Sequence, residues 1–238
     1  GNASSPSRSG LAVSVPSRHS PGVLRLVVGP LNYSSWSMRP WLVLHHSGLP
    51  FKTHEIGLFV EPDWQDQVLA FSGAGKVHVL VDKNLSVHES LAICEYVAEL
   101  APDARLWPED RALRARGRAI CAEMASSFGA LRNEMNANIR GRSTVPRVPS
   151  AEAQRDIDRV FDIWRASLAT SPGSFLLGEF GIADAMYYPV LTRFRTYGVP
   201  LPADVAPWAA SMEAHPSVVA LVAEAQNSVV VPKYDALL

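Results

Sequence analysis

Short apolar runs open the patterned part of the chain and long helical stripes close it. Val23–Val28 is a short apolar run, followed by Gly-Pro and polar residues, and then by Trp41–His46, a stretch rich in helix formers that Gly48, Leu49 and Pro50 bring to a stop. That order predicts strand, loop, helix, stop. Phe51–Ile56 is a second strand candidate, and one helix between two strands is the crossover that parallel pairing requires. Val77–Val81 and Leu85–Val87 flank the polar Asp82, Lys83 and Asn84 as in a hairpin, after which Leu91, Cys94, Val97 and Ala101 recur at helical spacing. The first half therefore predicts βαβ, a loop with a short helix, then ββα.

After Pro102 the strand signals fade. Ile120, Met124, Phe128, Leu131, Met135 and Ile139 step by three or four residues, which predicts one continuous helix with one apolar face. Ile157, Phe161, Trp164 and Leu168 form a second stripe behind Pro149 and Ser150 as a start signal, and 182–197 a third, ended by Gly198 and Pro200. The boundaries these shifts predict are a tail over 1–22, a first unit over 23–101, a Pro-containing linker over 102–109 and an all-helical unit over 110–238. The tail holds seven Ser, three Pro and two Arg, no acidic residue and too little apolar surface to offset ordering, so it is expected to be disordered.

Composition narrows the function. With 22 Lys and Arg against 23 Asp and Glu in 238 residues, the chain lacks the basic footprint of a nucleic-acid protein. Nothing approaches the roughly 20 apolar residues that span a bilayer, so neither nucleic acid nor membrane is an expected partner. Two cysteines, Cys94 and Cys121, are too few for a disulfide framework, which favours a reducing, cytoplasmic location. His45 and His46 are neighbours about 100° apart on a helix and cannot make a metal pair; no spaced ligand cluster occurs, and no metal is expected. Arg111, Arg114, Arg116 and Arg118 open an amphipathic helix and read as a solvated or dimer-facing surface.

The segment after the first strand carries the chemistry. Asn32-Tyr33-Ser34-Ser35-Trp36-Ser37-Met38-Arg39 places hydroxyl donors and a cation where a helix begins, and free backbone N–H groups there favour an anion. On spacing alone, a Ser run at that place serves equally as a helix cap.

NYSSWSMRPWL, HESLAICEYVAEL and FLLGEFGIADAMYYPVLTRF, in that order, resemble the cytosolic glutathione transferase family, nearest to bacterial members with a Ser-type, zeta-like motif. The resemblance runs from Val23 to about Val222 and implies an α/β thioredoxin-like N-terminal domain, an all-α C-terminal domain, glutathione as co-substrate and a homodimer. Residue by residue, it makes Ser34 the hydroxyl that stabilises the thiolate and Ser35 its neighbour. Glu89 and Ser90 would hold the γ-glutamyl ammonium and carboxylate, Val77 would offer its backbone to the cysteinyl part, and Trp36, Met38 and Arg39 would meet the second substrate. Asp184 matches a structural motif of the family. Trp36 stands where the zeta-like motif has Cys, Gly181 where the family has a Ser or Thr cap, and His78 where the family has a cis-proline after Val77.

Three functions fit these residues. The first is a glutathione transferase that activates the thiol for attack on a small, largely apolar electrophile. The second is a zeta-like cis–trans isomerase of a maleyl-type diacid with Arg39 as carboxylate anchor. The third is a non-catalytic module of the same fold, suggested by His78.

Overall fold

β1 (Leu24–Val28) alternates in period two: Leu24, Leu26 and Val28 point into the main core, and Val27 joins Ile56, Val68 and Val79 in a smaller cluster. The computed structural model describes residues 23–145 and 147–238, so the tail expected over 1–22 lies outside the described residues. β2 (Phe51–Glu55) pairs parallel to β1, with Leu26 opposite Thr53, after the crossover helix α1 (Ser35–Ser47). β3 (Val79–Asp82) runs antiparallel to β1 with Leu80 opposite Leu26, and β4 (Leu85–His88) antiparallel to β3, giving the order β2-β1-β3-β4. The short α2 (Trp64–Leu69) and α3 (Ser90–Leu100) complete the thioredoxin-like half.

Beyond a 3-10 turn at Pro102–Ala104, all named elements among the described residues are helices. They are α4 (Arg111–Ser126), α5 (Gly129–Glu134), α6 (Ala151–Ala169), α7 (Ile182–Tyr197), α8 (Ala206–Ala214), α9 (Pro216–Gln226) and the single turn α10 (Pro232–Asp235). α7 is the axis of this half, buried at every position except Arg195. One apolar cluster runs without interruption from Leu26, Met38 and Leu42 of the sheet half to Trp164, Phe194 and Trp208 of the helical half.

Two expectations need correction. α1 begins at Ser35, well before Trp41, and contains Pro40. A proline has no N–H to return to the carbonyl four residues back, which leaves the Trp36 carbonyl free; Ser90 Oγ donates to it at 3.2 Å. The stripe from Ile120 to Ile139 is not one helix, because α4 ends at Ser126 and Phe128 takes a left-handed φ of 62° before α5. Ser126 turns its hydroxyl back onto the Ala122 carbonyl, a side-chain bond that competes with helix continuation. Met124, Phe128, Leu131, Met135 and Ile139 are nonetheless all buried, so the periodicity marks the core and not the continuity of the helix.

Candidate functional site

The turn that leads into α1 is set by Tyr33 N and Ser34 N, both donating to the Pro30 carbonyl at 2.9 and 2.8 Å. Ser34 then caps the helix: its Oγ accepts from Ser37 N at 3.3 Å and donates to Ser37 Oγ at 2.8 Å. Ser37 is buried and takes Gly29 N at 3.1 Å, so the strand end, the cap and the first helical turn share one chain of hydroxyls. Ser34 alone of the three serines is half-buried rather than buried.

Ser35 is buried and accepts from Arg193 Nη2 at 3.3 Å. Met38 and Arg39 are wholly buried, which corrects the expectation that they face a second substrate. The reason is periodicity: with helix from Ser35 onward, Met38 and Leu42, like Arg39 and Val43, stack one turn apart on the inward face.

Arg39 donates Nε to the Met186 carbonyl at 2.9 Å, while its Nη1 and Nη2 have no partner among the described residues. Its guanidinium lies 4.4 Å from the centre of the Trp36 ring, and that of Arg132 lies 5.2 Å from the same ring. Burial, then the neighbouring Arg193 and Arg132, push Arg39 down to about 9, and burial with Arg132 pushes Arg193 down to about 10. Both remain charged at neutral pH. Three guanidiniums thus gather behind the N-terminus of α1, whose dipole has the same sign.

A cavity of about 240 Å³ opens beside them, lined by Trp36, Ala74, Lys76, Val77, His78, His88, Glu89 and Ala125. It brings together four residues singled out in the sequence, Trp36, Val77, His78 and Glu89; Ser34 and Ser35 do not line it. The Val77–His78 peptide is cis. Glu89 holds a φ of 71°, a region that L-residues seldom occupy and that recurs at functional sites, and its side chain is exposed.

Ser90 lies buried at the first position of α3, with Oγ 3.0 Å from His78 Nε2. The Ser90 hydroxyl has one proton, and it points to the Trp36 carbonyl. His78 Nε2 is therefore the donor to Ser90, and Nδ1 is the unprotonated nitrogen, buried without a partner among the described residues. Burial, reinforced by Arg39 and His88, pushes His78 down to about 3, so it stays neutral.

Sequence reasoning passed over Arg132 and Arg193. Their local sequences, Leu131-Arg132-Asn133-Glu134 and Thr192-Arg193-Phe194-Arg195, carry no signal that sets them apart from surface cations. Asp184 is structural as expected: its carboxylate accepts from Leu176 N, Gly181 N and Trp208 Nε1 at 3.0, 3.1 and 2.8 Å. The glycine at 181 has its own cause, since a Cβ there would stand 2.6 Å from the Leu106 carbonyl oxygen.

Comparison with known proteins agrees with this architecture. The glutathione S-transferase N-terminal domain matches residues 33–100, and the glutathione S-transferase C-terminal domain matches residues 144–224. Glutathione S-transferase 1 of Dianthus caryophyllus is 27% identical over 171 residues, 71% of this chain and 76% of the relative. A probable maleylacetoacetate isomerase of Caenorhabditis elegans is 33% identical over 99 residues, 42% of this chain and 45% of the relative. Among solved structures, a Burkholderia glutathione transferase homologue with bound glutathione superposes with a TM-score of 0.67 at 25% identity, covering 87% of this chain and all of that one. With both halves matched in order on a sheet-plus-helix body of this topology, the chain belongs to the glutathione S-transferase family.

Proposed function

We propose that this protein is a glutathione transferase whose thiol site is the N-terminus of α1. The observation that carries the reading is the gathering of Arg39, Arg132 and Arg193 behind that helix start, with the half-buried Ser34 hydroxyl in front of it. A thiol near that positive end loses its proton more readily than in water, because the dipole and the guanidiniums favour the anion. The Ser34 hydroxyl turns from Ser37 Oγ to donate to the sulfur, Glu89 faces the γ-glutamyl ammonium, the Ser90 hydroxyl turns from the Trp36 carbonyl to the carboxylate, and the Val77 main chain meets the cysteinyl amide.

Trp36, with two guanidiniums near its ring at the edge of the cavity, is the wall that a flat electrophile meets. Glutathione supplies the nucleophilic sulfur. With a chlorodinitrobenzene, the sulfur–carbon bond forms, the carbon–chlorine bond breaks, chloride leaves with the electron pair and the thiol proton passes to solvent. The isomerase reading relied on Arg39 as an anchor for carboxylate, and its burial argues against that role. A non-catalytic role would give no turnover.

Calorimetric titration with glutathione, followed by the thiolate absorbance of the bound complex against pH, tests the proposal. One charge-assisted hydrogen bond contributes about 1.5–3 kcal/mol, so Ser34→Ala is expected to raise the bound thiol pKa by roughly one to two units. A variant whose thiol titrates as in the parent removes Ser34 from the mechanism, and a parent that neither binds nor turns over glutathione removes the proposal itself.

A further inference from the structure

The turn Gly29–Ser34 is shaped locally, but its place in the molecule is fixed by the far end of the chain. Glu55, at the end of β2, accepts from Leu31 N at 3.0 Å and from Ser228 Oγ at 2.8 Å on one oxygen, and from Val229 N at 2.8 Å on the other. Asn32 is wholly buried: its carbonyl accepts from Ile139 N at 3.0 Å, its Oδ1 from Arg140 N at 2.8 Å, and its Nδ2 donates to Asn138 Oδ1 at 2.8 Å.

Tyr33 is the hub. Its hydroxyl donates to Asp235 Oδ1 at 2.8 Å and accepts from Arg140 Nη2 at 3.2 Å and from Val231 N at 3.4 Å. Asp235 Oδ1 also accepts from Asn138 Nδ2 at 3.0 Å. Tyr234 packs on Tyr33 with ring centres 5.4 Å apart, and the Lys233 ammonium sits 3.2 Å from the centre of the Phe59 ring in the loop after β2.

The last helical turn, α10, has no buried residue of its own. Val231, just before it, is buried and Leu238, just after it, packs on the core, while the polar and ring contacts of Ser228–Asp235 go to the loop that precedes Ser34 and to Glu55, Asn138 and Arg140, which touch the same loop. Those contacts set the position of that loop. Tyr33 and Ser34 share a peptide bond, so a shift of the Tyr33 backbone also moves the capping residue.

We infer that the segment Ser228–Asp235 belongs to the catalytic apparatus as a clasp, and that Tyr33 and Asp235 are positioning residues for the transferase reaction proposed above, on which this assignment rests. A misplacement of about 1 Å at a reacting centre can cost on the order of 100-fold in rate, so a clasp that holds the loop in register governs turnover without touching either substrate.

The test uses the full chain with Asp235→Ala, Asp235→Asn and Tyr33→Phe. It measures hydrogen exchange at Leu31–Ser34 and the pH profile of kcat/KM for glutathione with a chlorodinitrobenzene. Asp235→Ala is expected to speed exchange at those amides, to lower kcat/KM roughly tenfold, the equivalent of one charge-assisted hydrogen bond, and to move the thiol pKa upward. Asp235→Asn, which keeps an oxygen acceptor, recovers most of that loss, and Tyr33→Phe repeats it from the other side if Asp235→Ala fails to fold. A folded Asp235→Ala or Tyr33→Phe with the parent's pH profile overturns the assignment, as does an Asn variant as impaired as the Ala variant. A parent inactive with glutathione overturns the proposed function instead, and the exchange arm then decides the clasp by itself, unchanged protection at Leu31–Ser34 overturning it.

Discussion

The starts of α7 and α1 both carry buried polar groups, and they are built on opposite principles. At α7 the groups match: the Asp184 carboxylate receives three N–H donors, from Leu176, Gly181 and Trp208. At α1 they do not. Arg39 leaves Nη1 and Nη2 without partners, His78 leaves Nδ1 without one, and three guanidiniums stand close together. Matched buried groups stabilise a fold, whereas unmatched ones cost stability. The unmatched set stands beside an open cavity lined by Trp36, His78 and Glu89, which is where the proposed reaction would draw on the uncompensated charge.

The contrast can be broken most decisively at α7. Asp184→Ala strands three buried donors at once, and the expected loss is roughly 3–5 kcal/mol in urea denaturation. A loss below about 1 kcal/mol, within the range of an ordinary surface change, would place Asp184 with the dispensable groups and end the comparison.

At α1 the opposite outcome is expected. Arg39→Met removes a buried, unpaired cation of similar length and keeps the volume, so stability should stay within about 1–2 kcal/mol of the parent or rise above it. The same change should raise the pKa of bound glutathione thiol, read from thiolate absorbance. A protein that loses several kcal/mol, as after the removal of a paired buried charge, would show Arg39 to be a structural residue like Asp184.

The smallest effect lies at the seam between the two halves, where His46 and His215 face each other at 5.1 Å and His215 stacks on Phe180. Burial, with His46 and His45 nearby, pushes His215 down to about 4. A histidine with a depressed folded pKa binds fewer protons in the native state than when unfolded. Its contribution is therefore present above about 6.5 and is lost as pH falls toward about 4. Asp184 works in the other direction, because burial raises it to about 6 against the pull of its three donors, so its protonation adds stability on acidification. Comparing melting temperatures of the parent and His215→Asn isolates the histidine, since Asn can keep the cap on Ser217 N. The parent should lose more than the variant between pH about 7 and about 4; parallel curves would show that the seam is indifferent to His215 charge.

Much of this was legible in the chain, and the failures have physical causes. The strands after Val23, the hairpin around Lys83 and the helical stripes follow local periodicity, and the sheet obeys it. The start of α1 was hidden because Pro40 ordinarily ends a helix, and what permits it here is a bond from Ser90, distant in sequence. The family resemblance also set Met38 and Arg39 against the second substrate, whereas the helical wheel buries them. Pattern singles out Ser34, Trp36, Val77 and Glu89, whereas Arg132 and Arg193 reach the neighbourhood of Trp36 and Ser35 from other helices, which no local pattern encodes.

The short connection between the halves is less exposed than its two prolines suggest. Leu106 and Trp107 are buried, the Leu106 carbonyl accepts from Ile182 N at 3.1 Å, and the same oxygen occupies the space that a Cβ at position 181 would need. The join therefore works as a mortise and not as a tether. A protease cutting at Leu106 or Trp107 needs the join to open first, and neither half, expressed alone, would keep the apolar face that the other now covers.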